Sequence, residues 1–288
     1  MDLGAPVIDH ILHPSDLSEA SQVAFAHALK AALVARARLT MLHVSPKPGG
    51  LRWEDFPGVQ DTLERWGARS RKSSQGGVSA TGVAVTKIVA RHRDPVEAVQ
   101  RYMQSHPADL LVLATSHYRG RMRWLRRSTA VPLARRAGQM TLFVPAGVDG
   151  FVSLANGSLS LRNVLIPVAA SPRPQPAVAA AIRLVRRLEC APGEFTLVHI
   201  GAAGSMPAVR RPTVPGWTWT AATGRGDVID GIIDRARETR ADLIVMSTDG
   251  RNGFLDALRG SHSERVLSRT RCPVLAIPVE SSAADRLE

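Results

Sequence analysis

Histidines and one carboxylate are the side chains of this sequence best suited to chemistry, and they cluster in its first half. They are His13, His43, His92, His117 and Asp16. Each falls at or just after the C-terminal end of a segment of strand character, so a parallel sheet would collect them along one edge. Imidazoles with a carboxylate can ligate zinc, form a pH-sensitive cluster or bind an anion. Each histidine can equally be a single hydrogen-bonded residue, and no short metal motif such as HExxH is present.

Arginine supplies most of the formal net charge of +12. The densest run, RGRMRWLRR, covers 119–127 and is followed by Arg135 and Arg136. It fits a solvated surface or a face that binds phosphate, nucleic acid or acidic lipid. No aromatic platform or nucleic-acid motif accompanies it, so nucleic acid is not an expected partner. No Ser/His/Asp or Cys/His set indicates a nucleophilic enzyme.

The elements that must position these residues alternate between strands and helices. In the first half we predict strands at 7–13, 39–44, 83–90 and within 108–145, with helices at 15–38, 60–72 and from 94 onward. This order predicts a parallel sheet covered on both faces. The segment Ala108–Pro145 has a near copy, Ala241–Pro278, at a constant offset of 133 residues (241 − 108 and 278 − 145). A repeated strand–loop–helix–strand unit indicates a duplicated domain.

Length and composition set the domain and compartment predictions. We expect one domain at 1–147 and a second at 161–280, joined by the Gly/Ser/Asn-rich segment 146–160. No apolar run of about 18 residues or more is present, so no membrane span is expected. The N-terminus does not resemble a secretory signal. The two cysteines, Cys190 and Cys272, have no partner spacing and suit a reducing cytoplasm.

The motifs along the chain resemble those of tandem universal stress proteins. The matching segments are Ile11–Ser18 (ILHPSDLS), Leu42–Val44, Ala241–Met246, Gly250–Gly253, Gly260–Ser261, Glu264–Val266 and Cys272–Leu275. The resemblance implies an α/β fold of two doubly wound, Rossmann-like, five-stranded domains with strand order 3-2-1-4-5. It also implies an internal pseudo-dimer, in which the last strands, Thr141–Pro145 and Val274–Pro278, pair across a pseudo-twofold axis. Strands 1 and 4 would be neighbours, which would bring His13 and His117 together.

Some members of that family bind ATP or a related nucleotide through a G-x-x-G-x9-G-[S/T] motif. Such glycines let the backbone approach phosphates, and a helix N-terminus then offers free N–H groups. The second half carries Ser247-x-x-Gly250-x9-Gly260-Ser261, whereas the first carries Ala114-x-x-His117-x9-Arg127-Ser128. The family's acidic residue is Asp16 in the first half and Ala169 in the second. The resemblance therefore implies ATP or AMP in the second half only, at Pro167, Ile200, Ser247, Gly250, Gly260, Ser261, His262 and Ser263.

Some of these residues can also be explained by structural roles that need no ligand. Ser261 with Glu264 forms a capping box that would account for Ser261 without a ligand. Asp16 can be the N-cap of the first helix instead of a nucleotide contact. The first-half crevice comprises His13, Asp16, His43, His92 and His117, and in the alternative in which this crevice binds zinc, His13 and His117 are its core ligands.

Three functions remain open at this point. The first is a cytoplasmic, non-catalytic regulatory or protective binding module. The second is a weak ATPase, against which the absence of a carboxylate at Ala169 counts. The third is a metal- or anion-responsive interaction protein that uses the first-half histidines. The sequence identifies no protein partner and leaves open whether two chains form a further homodimer.

Overall fold

The fold is seen in a computed structural model, which describes residues 8–46, 53–68, 83–115, 130–202, 204–249, 266–267 and 269–279. The first half contains β1 (His10–Pro14), α1 (Glu19–Ala35), β2 (Arg38–Ser45), a 3-10 turn (Trp53–Asp55), α2 (Val59–Arg65), β3 (Val85–Arg91), α3 (Pro95–Ser105), β4 (Leu110–Thr115), α4 (Ala130–Ala137) and β5 (Met140–Pro145). The second contains β6 (Asn163–Pro167), α5 (Gln175–Arg187), β7 (Gly193–Ile200), β8 (Trp217–Gly224), α6 (Val228–Glu238), β9 (Leu243–Asp249) and β10 (Val274–Val279).

All the strands named above form one continuous sheet, in the order β3-β2-β1-β4-β5-β10-β9-β6-β7-β8. The first half thus has the expected order 3-2-1-4-5, and the second repeats it in mirror sequence. Strands within each half are parallel. The predicted α/β class and the duplicated doubly wound architecture are confirmed.

The two halves meet at an antiparallel pair formed by β5 and β10. Leu142 lies opposite Leu275, with Phe143 opposite Val274 and Thr141 opposite Ala276. Leu142 and Leu275 hold the same position in the 133-residue repeat (275 − 142), so the pseudo-twofold axis passes between them. The pairing implied by the family resemblance is therefore present within one chain.

A repeated aspartate fixes the start of the first strand in each half. Asp109 Oδ2 accepts hydrogen bonds from the backbone N–H groups of Asp9 and His10, at 2.9 and 3.0 Å. Asp242 Oδ2 accepts from Arg162 and Asn163 in the second half, both at 2.8 Å. These carboxylates belong to the repeated Ala-Asp-Leu sequence, and they align the fourth strand of each half with the first strand beside it.

Several predicted element boundaries differ from the structure by a few residues. Helix α1 ends at Ala35 instead of residue 38, because Arg36 adopts a left-handed conformation (φ 55°) and caps the helix C-terminus. Helix α2 ends at Arg65 instead of residue 72, because Gly67 turns the chain at φ 66°. Strand β1 begins at His10, three residues later than predicted.

The segment that joins the halves packs against the protein instead of forming a solvated linker. Phe151 and Val152 are only 3% and 2% exposed. Val152 forms a β-bridge with Leu159, and Trp66 Nε1 donates to the Leu154 carbonyl at 3.2 Å. Buried apolar residues cover both faces of the sheet, under α1 and α5 on one face and under α3, α4 and α6 on the other. Within the described residues, no helix is long and apolar enough to cross a membrane.

Candidate functional site

The second-half crevice lies where the strand order reverses, at the C-terminal ends of β6 and β9. These strands are parallel neighbours, with Val164 beside Leu243 and Leu165 beside Ile244. On the other side of β6, Pro167 lies beside Val198 of β7. Such a switch point separates the loops that follow neighbouring strands and opens a cleft for a ligand. The structure therefore brings Pro167 and the end of β9 to the same edge of the sheet.

His199 ties two loops at the rim of this crevice. Its Nδ1 is 2.9 Å from the Val168 carbonyl oxygen, and its Nε2 is 2.9 Å from Ser205 Oγ. The imidazole is nearly buried and lies against Gly201, where an added Cβ would be only 2.4 Å from Nε2. A glycine at 201 thus leaves room for the histidine that holds the loop after β6 against the loop after β7.

The predicted nucleotide motif has named positions at Ser247, Gly250, Gly260 and Ser261, and of these the structure describes Ser247. Ser247 lies in β9 with 7% exposure, and its Oγ is buried with no hydrogen-bond partner in the described part of the chain. Buried hydroxyls normally have a partner, and an unpaired one costs about 1–3 kcal/mol. Gly250, Gly260, Ser261, His262 and Ser263 lie outside the described residues. Their roles stay predictions.

Ile200 sits at the end of β7, but its side chain packs toward α6. Cβ atoms added to Gly231 and Gly224 would lie 2.5 and 2.9 Å from Ile200 Cδ1. The residue also belongs to the apolar cluster under α6, as a half-buried member. Ile200 therefore contributes chiefly to the packing of α6 behind the crevice.

In the first half, Asp16 is engaged by its own loop. Its Oδ1 accepts hydrogen bonds from Ser18 Oγ and Ser21 Oγ, both at 2.6 Å, and from the Ser18 backbone N–H at 3.0 Å. The N-cap of α1 is Ser18, so the alternative in which Asp16 caps the helix is wrong in detail. Burial alone would raise the pKa of Asp16, but the hydrogen bonds from Ser18 and Ser21 hold it below its ordinary value.

We expect Asp16→Ala to lower the free energy of unfolding by about 1–2 kcal/mol at pH 7, because it leaves the two serine hydroxyls without their acceptor. The lowered pKa means that this stabilisation is complete above the unfolded-state value of 3.8 and is lost as the pH falls through the folded-state pKa. Urea unfolding at pH 7 and pH 3 measures both effects. Asp149→Ala, at an exposed aspartate, is the control, and an equal loss in both variants would contradict the prediction.

The described histidines of the predicted first-half crevice each have a partner nearby and do not converge on a common point. His13 is fully buried, with Nδ1 2.9 Å from the Val112 carbonyl oxygen, and its Nε2 has no hydrogen-bond partner among the described residues. Burial lowers its pKa. His43 Nδ1 is 2.8 Å from the Ser15 carbonyl oxygen, and His92 Nδ1 is 2.8 Å from that of Asp94. In these residues no group of three His, Cys, Asp or Glu side chains could hold a metal ion.

The zinc prediction needs both His13 and His117, but the structure describes only His13, because His117 lies outside the described residues. Strands β1 and β4 are neighbours as expected, with Leu12 beside Leu111. His13 is nevertheless closed to solvent under α1, beside Phe25 at a ring separation of 6.5 Å. A metal ion from solvent would have to reach an imidazole that burial keeps neutral.

His27 is a functional candidate that the sequence analysis did not identify. It lies in the middle of α1, buried to 2% exposure, and its Nδ1 is 2.8 Å from the Val23 carbonyl oxygen. Its Nε2 accepts hydrogen bonds from the backbone N–H groups of Phe151 and Val152, at 3.0 and 3.3 Å. Those partners are more than 120 residues away, so local sequence gives no signal.

The cysteines do not supply a nucleophile. Burial raises the pKa of both Cys190 and Cys272 to about 11, so each is a neutral thiol at physiological pH. Both are free of disulfides.

Comparison with known proteins gives the family. The model of the universal stress protein family matches residues 8–145 and 216–278. A universal stress protein of Methanocaldococcus jannaschii is 46% identical over 46 residues, which span 16% of this chain and 27% of that protein. A universal stress protein structure from Archaeoglobus fulgidus aligns with a TM-score of 0.60 at 17% identity, over 95% of this chain and 97% of that one. A protein of unknown function from Pseudomonas aeruginosa aligns with a TM-score of 0.58 at 12% identity, over 94% and 92%. The family match covers the first half and the part of the second half from β8 to β10, and the chain belongs to the universal stress protein family.

Proposed function

We propose that this protein is a non-catalytic binding module that holds one adenine nucleotide, ATP or AMP, in the crevice of its second half. The observation that carries the proposal is Ser247, whose buried hydroxyl lacks a partner at the switch point between β6 and β9. A ligand hydroxyl or phosphate would satisfy it. The chain then continues into the glycine-bearing segment with Gly250 and Gly260.

Each predicted residue has a role in this proposal. Pro167 borders the crevice, and Ile200 supports it from the α6 side. Gly250 and Gly260 would let the backbone approach the phosphates. Ser261 and the backbone N–H groups of His262 and Ser263 would bind phosphate at a helix N-terminus. His199 would keep the two rim loops at a fixed separation.

The first half is proposed to serve as scaffold. Its Asp16 carboxylate is already held by Ser18 and Ser21, and Arg127 stands where the second half has Gly260. We take 1–147 and 161–280 as the two domains, with only the second binding nucleotide, and we propose a cytoplasmic location. Catalysis is not part of the proposal, because Ala169 leaves the loop after β6 without a carboxylate to hold a metal or orient water.

Calorimetric titration with ATP and with AMP tests the nucleotide site. We expect one site per chain, and we expect Gly260→Arg, which imitates Arg127, to weaken binding at least tenfold by placing a side chain where phosphate would lie. Gln104→Arg adds the same charge on the exposed side of α3 and should leave the dissociation constant within twofold. Two sites per chain, or full affinity in Gly260→Arg, would refute the proposal.

A steady-state assay separates binding from hydrolysis. We expect no ATP turnover above the buffer blank at saturating Mg²⁺. Turnover that disappears in Gly260→Arg and persists in Gln104→Arg would establish the ATPase alternative instead.

A further inference from the structure

A cavity lies over the junction of the two halves, between α1 and α5. Leu142 and Leu275, which face each other across the pseudo-twofold axis, form its floor together with Leu110 and Met140. The centre of a water molecule can reach about 120 Å³ of it, and the empty space is about 980 Å³ when open solvent at the mouth is counted. The cavity shares no described residue with the second-half crevice.

The two helices supply equivalent positions to this cavity. Lys30 and Arg183 each follow by 16 residues the proline that ends the preceding strand (30 − 14 and 183 − 167). The lining residues of α1 are His27, Lys30, Ala31, Val34 and Ala35, and those of α5 are Ala180, Arg183, Leu184, Arg187 and Leu188. Both sets follow the i, i+3, i+4, i+7, i+8 spacing of one helix face. The duplication thus presents two matching faces to one shared space.

The lining combines an apolar interior with positive charge. Lys30, Arg183 and Arg187 are its cations, and the described lining contains no aspartate or glutamate. Apart from His27, the remaining lining residues are all apolar. In the described part of the chain, none of the three cationic side chains forms an ion pair or a hydrogen bond. Burial lowers the pKa of the Arg183 guanidinium below its ordinary value.

His27 does not add a free polar group. Both its nitrogens are engaged, with the Val23 carbonyl on one side and the Phe151 and Val152 N–H groups on the other. The remaining polar groups of the lining are the cationic side chains of Lys30, Arg183 and Arg187, which lie beside apolar residues of α1 and α5. A ligand that satisfies both parts has a long apolar body and one anionic end.

We propose that this cavity binds one long-chain fatty acid, with its acyl chain over Leu142 and Leu275 and its carboxylate at Lys30, Arg183 and Arg187. An acyl chain removes the apolar lining from water, and each buried CH₂ contributes about 0.8 kcal/mol. The carboxylate supplies the partly desolvated Arg183 with a counterion and can accept two parallel hydrogen bonds from its guanidinium. We expect a single acyl chain because the two helix faces line one shared space on the axis.

The competing explanation is that the lysine and arginine stems cover apolar surface while their charged ends remain hydrated. It predicts that fatty acids bind weakly or without regard to head-group charge. The two explanations therefore differ in a measurable quantity, the dependence of affinity on the charge at residues 30 and 183.

Calorimetric titration with dodecanoate below its micellar concentration tests the proposal. We expect one site per chain, and we expect the double variant Lys30→Gln/Arg183→Gln to weaken binding at least tenfold. Arg211→Gln removes the same kind of charge from an exposed loop position and should change affinity less than twofold. Ala31→Phe fills the cavity and should abolish binding. Val34→Phe, about one turn further along α1, is a second filling variant if Ala31→Phe does not fold.

Three further ligands give outcomes against the proposal. Equal affinity for dodecanoate and dodecyltrimethylammonium would show nonspecific apolar adsorption. Tighter binding of dodecyl phosphate than of dodecanoate would assign a phosphate head group instead of a carboxylate. Failure of dodecanoate and hexadecanoate to bind the wild-type protein, or unchanged affinity in the double variant and the filling variants, would refute the site. ATP affinity should stay the same in every cavity variant, so failure here is distinguishable from failure of the nucleotide proposal.

Discussion

Phe151→Ala is expected to lower the free energy of unfolding by about 4 kcal/mol, because it removes a buried aromatic ring from the segment that joins the halves. The Phe151 ring packs edge to face on His27, with centroids 4.5 Å apart and planes at 86°. Its backbone N–H donates to His27 Nε2, and its carbonyl accepts from the Ser160 N–H at 3.0 Å. The measurement is urea unfolding followed by far-UV circular dichroism at pH 7.5.

The matched control for this substitution is Phe151→Leu. Leucine keeps most of the buried volume and leaves the backbone hydrogen bonds in place, so we expect it to recover more than half of the loss. Asn156→Ala, at an exposed position of the same segment, should cost less than 1 kcal/mol. If Phe151→Ala costs no more than Asn156→Ala, the segment is not docked on α1 as the structure has it.

The repeat made most of the fold predictable. The constant offset between Ala108–Pro145 and Ala241–Pro278 predicted two copies of one unit, and the family resemblance added the strand order and the β5–β10 junction. Apolar segments separated by more polar ones predicted where the strands lie, because both faces of a strand in a parallel sheet are buried. Helix ends were less accurate, because Arg36 ends α1 through a left-handed conformation that its residue type does not favour.

The composition of the joining segment indicated a linker but did not reveal that this linker packs against the protein. Its Gly, Ser and Asn residues favour turns and solvent, and they outnumber the two side chains, Phe151 and Val152, that anchor it. The anchor also needs His27, which is 124 residues earlier than Phe151. Contacts at that separation depend on the assembled fold, and no local pattern encodes them.

Some parts of the candidate sites could be predicted from the sequence, and others could not. Ser247 and Pro167 could be placed from the motif and the strand ends, and the structure puts both at the edge where strand order reverses. The engagement of Asp16 by Ser18 and Ser21 depends on loop geometry, which the motif alone does not specify. The cavity between α1 and α5 arises only when two helices from different halves meet across the axis.

His27 should also make the stability of the protein depend on pH between about 6.5 and 4. The neutral imidazole donates from Nδ1 to the Val23 carbonyl and accepts at Nε2 from two backbone N–H groups. Protonation would place a hydrogen at Nε2 against both donors. Burial accordingly lowers the pKa of His27 from 6.5 to about 4.

The sign follows from proton uptake. Between pH 6.5 and 4 the unfolded chain binds a proton at His27 that the folded protein does not, so stability falls as the pH falls. The stabilisation is complete above pH 6.5, and the loss approaches about 3 kcal/mol near pH 4, from 1.36 kcal/mol for each pKa unit. Burial lowers the pKa of His13 as well, so its contribution has the same direction. Asp16, with a pKa below 3.8, acts at lower pH.

We expect His27→Gln to flatten this dependence, because glutamine cannot titrate and its side-chain oxygen can accept the N–H groups of Phe151 and Val152. Urea unfolding at half-unit steps from pH 7.5 to 4 measures the slope for the wild-type protein and the variant. His106→Gln, at an exposed histidine, should keep the wild-type slope. The two variants should therefore be closest in stability at pH 7.5, where glutamine and the neutral imidazole both accept the two N–H groups, and should diverge toward pH 4, where only the protein with a titrating His27 loses this stabilisation. Parallel curves across that range would mean that His27 titrates no differently in the folded and unfolded states, and that its hydrogen bonds to the joining segment do not depend on its charge.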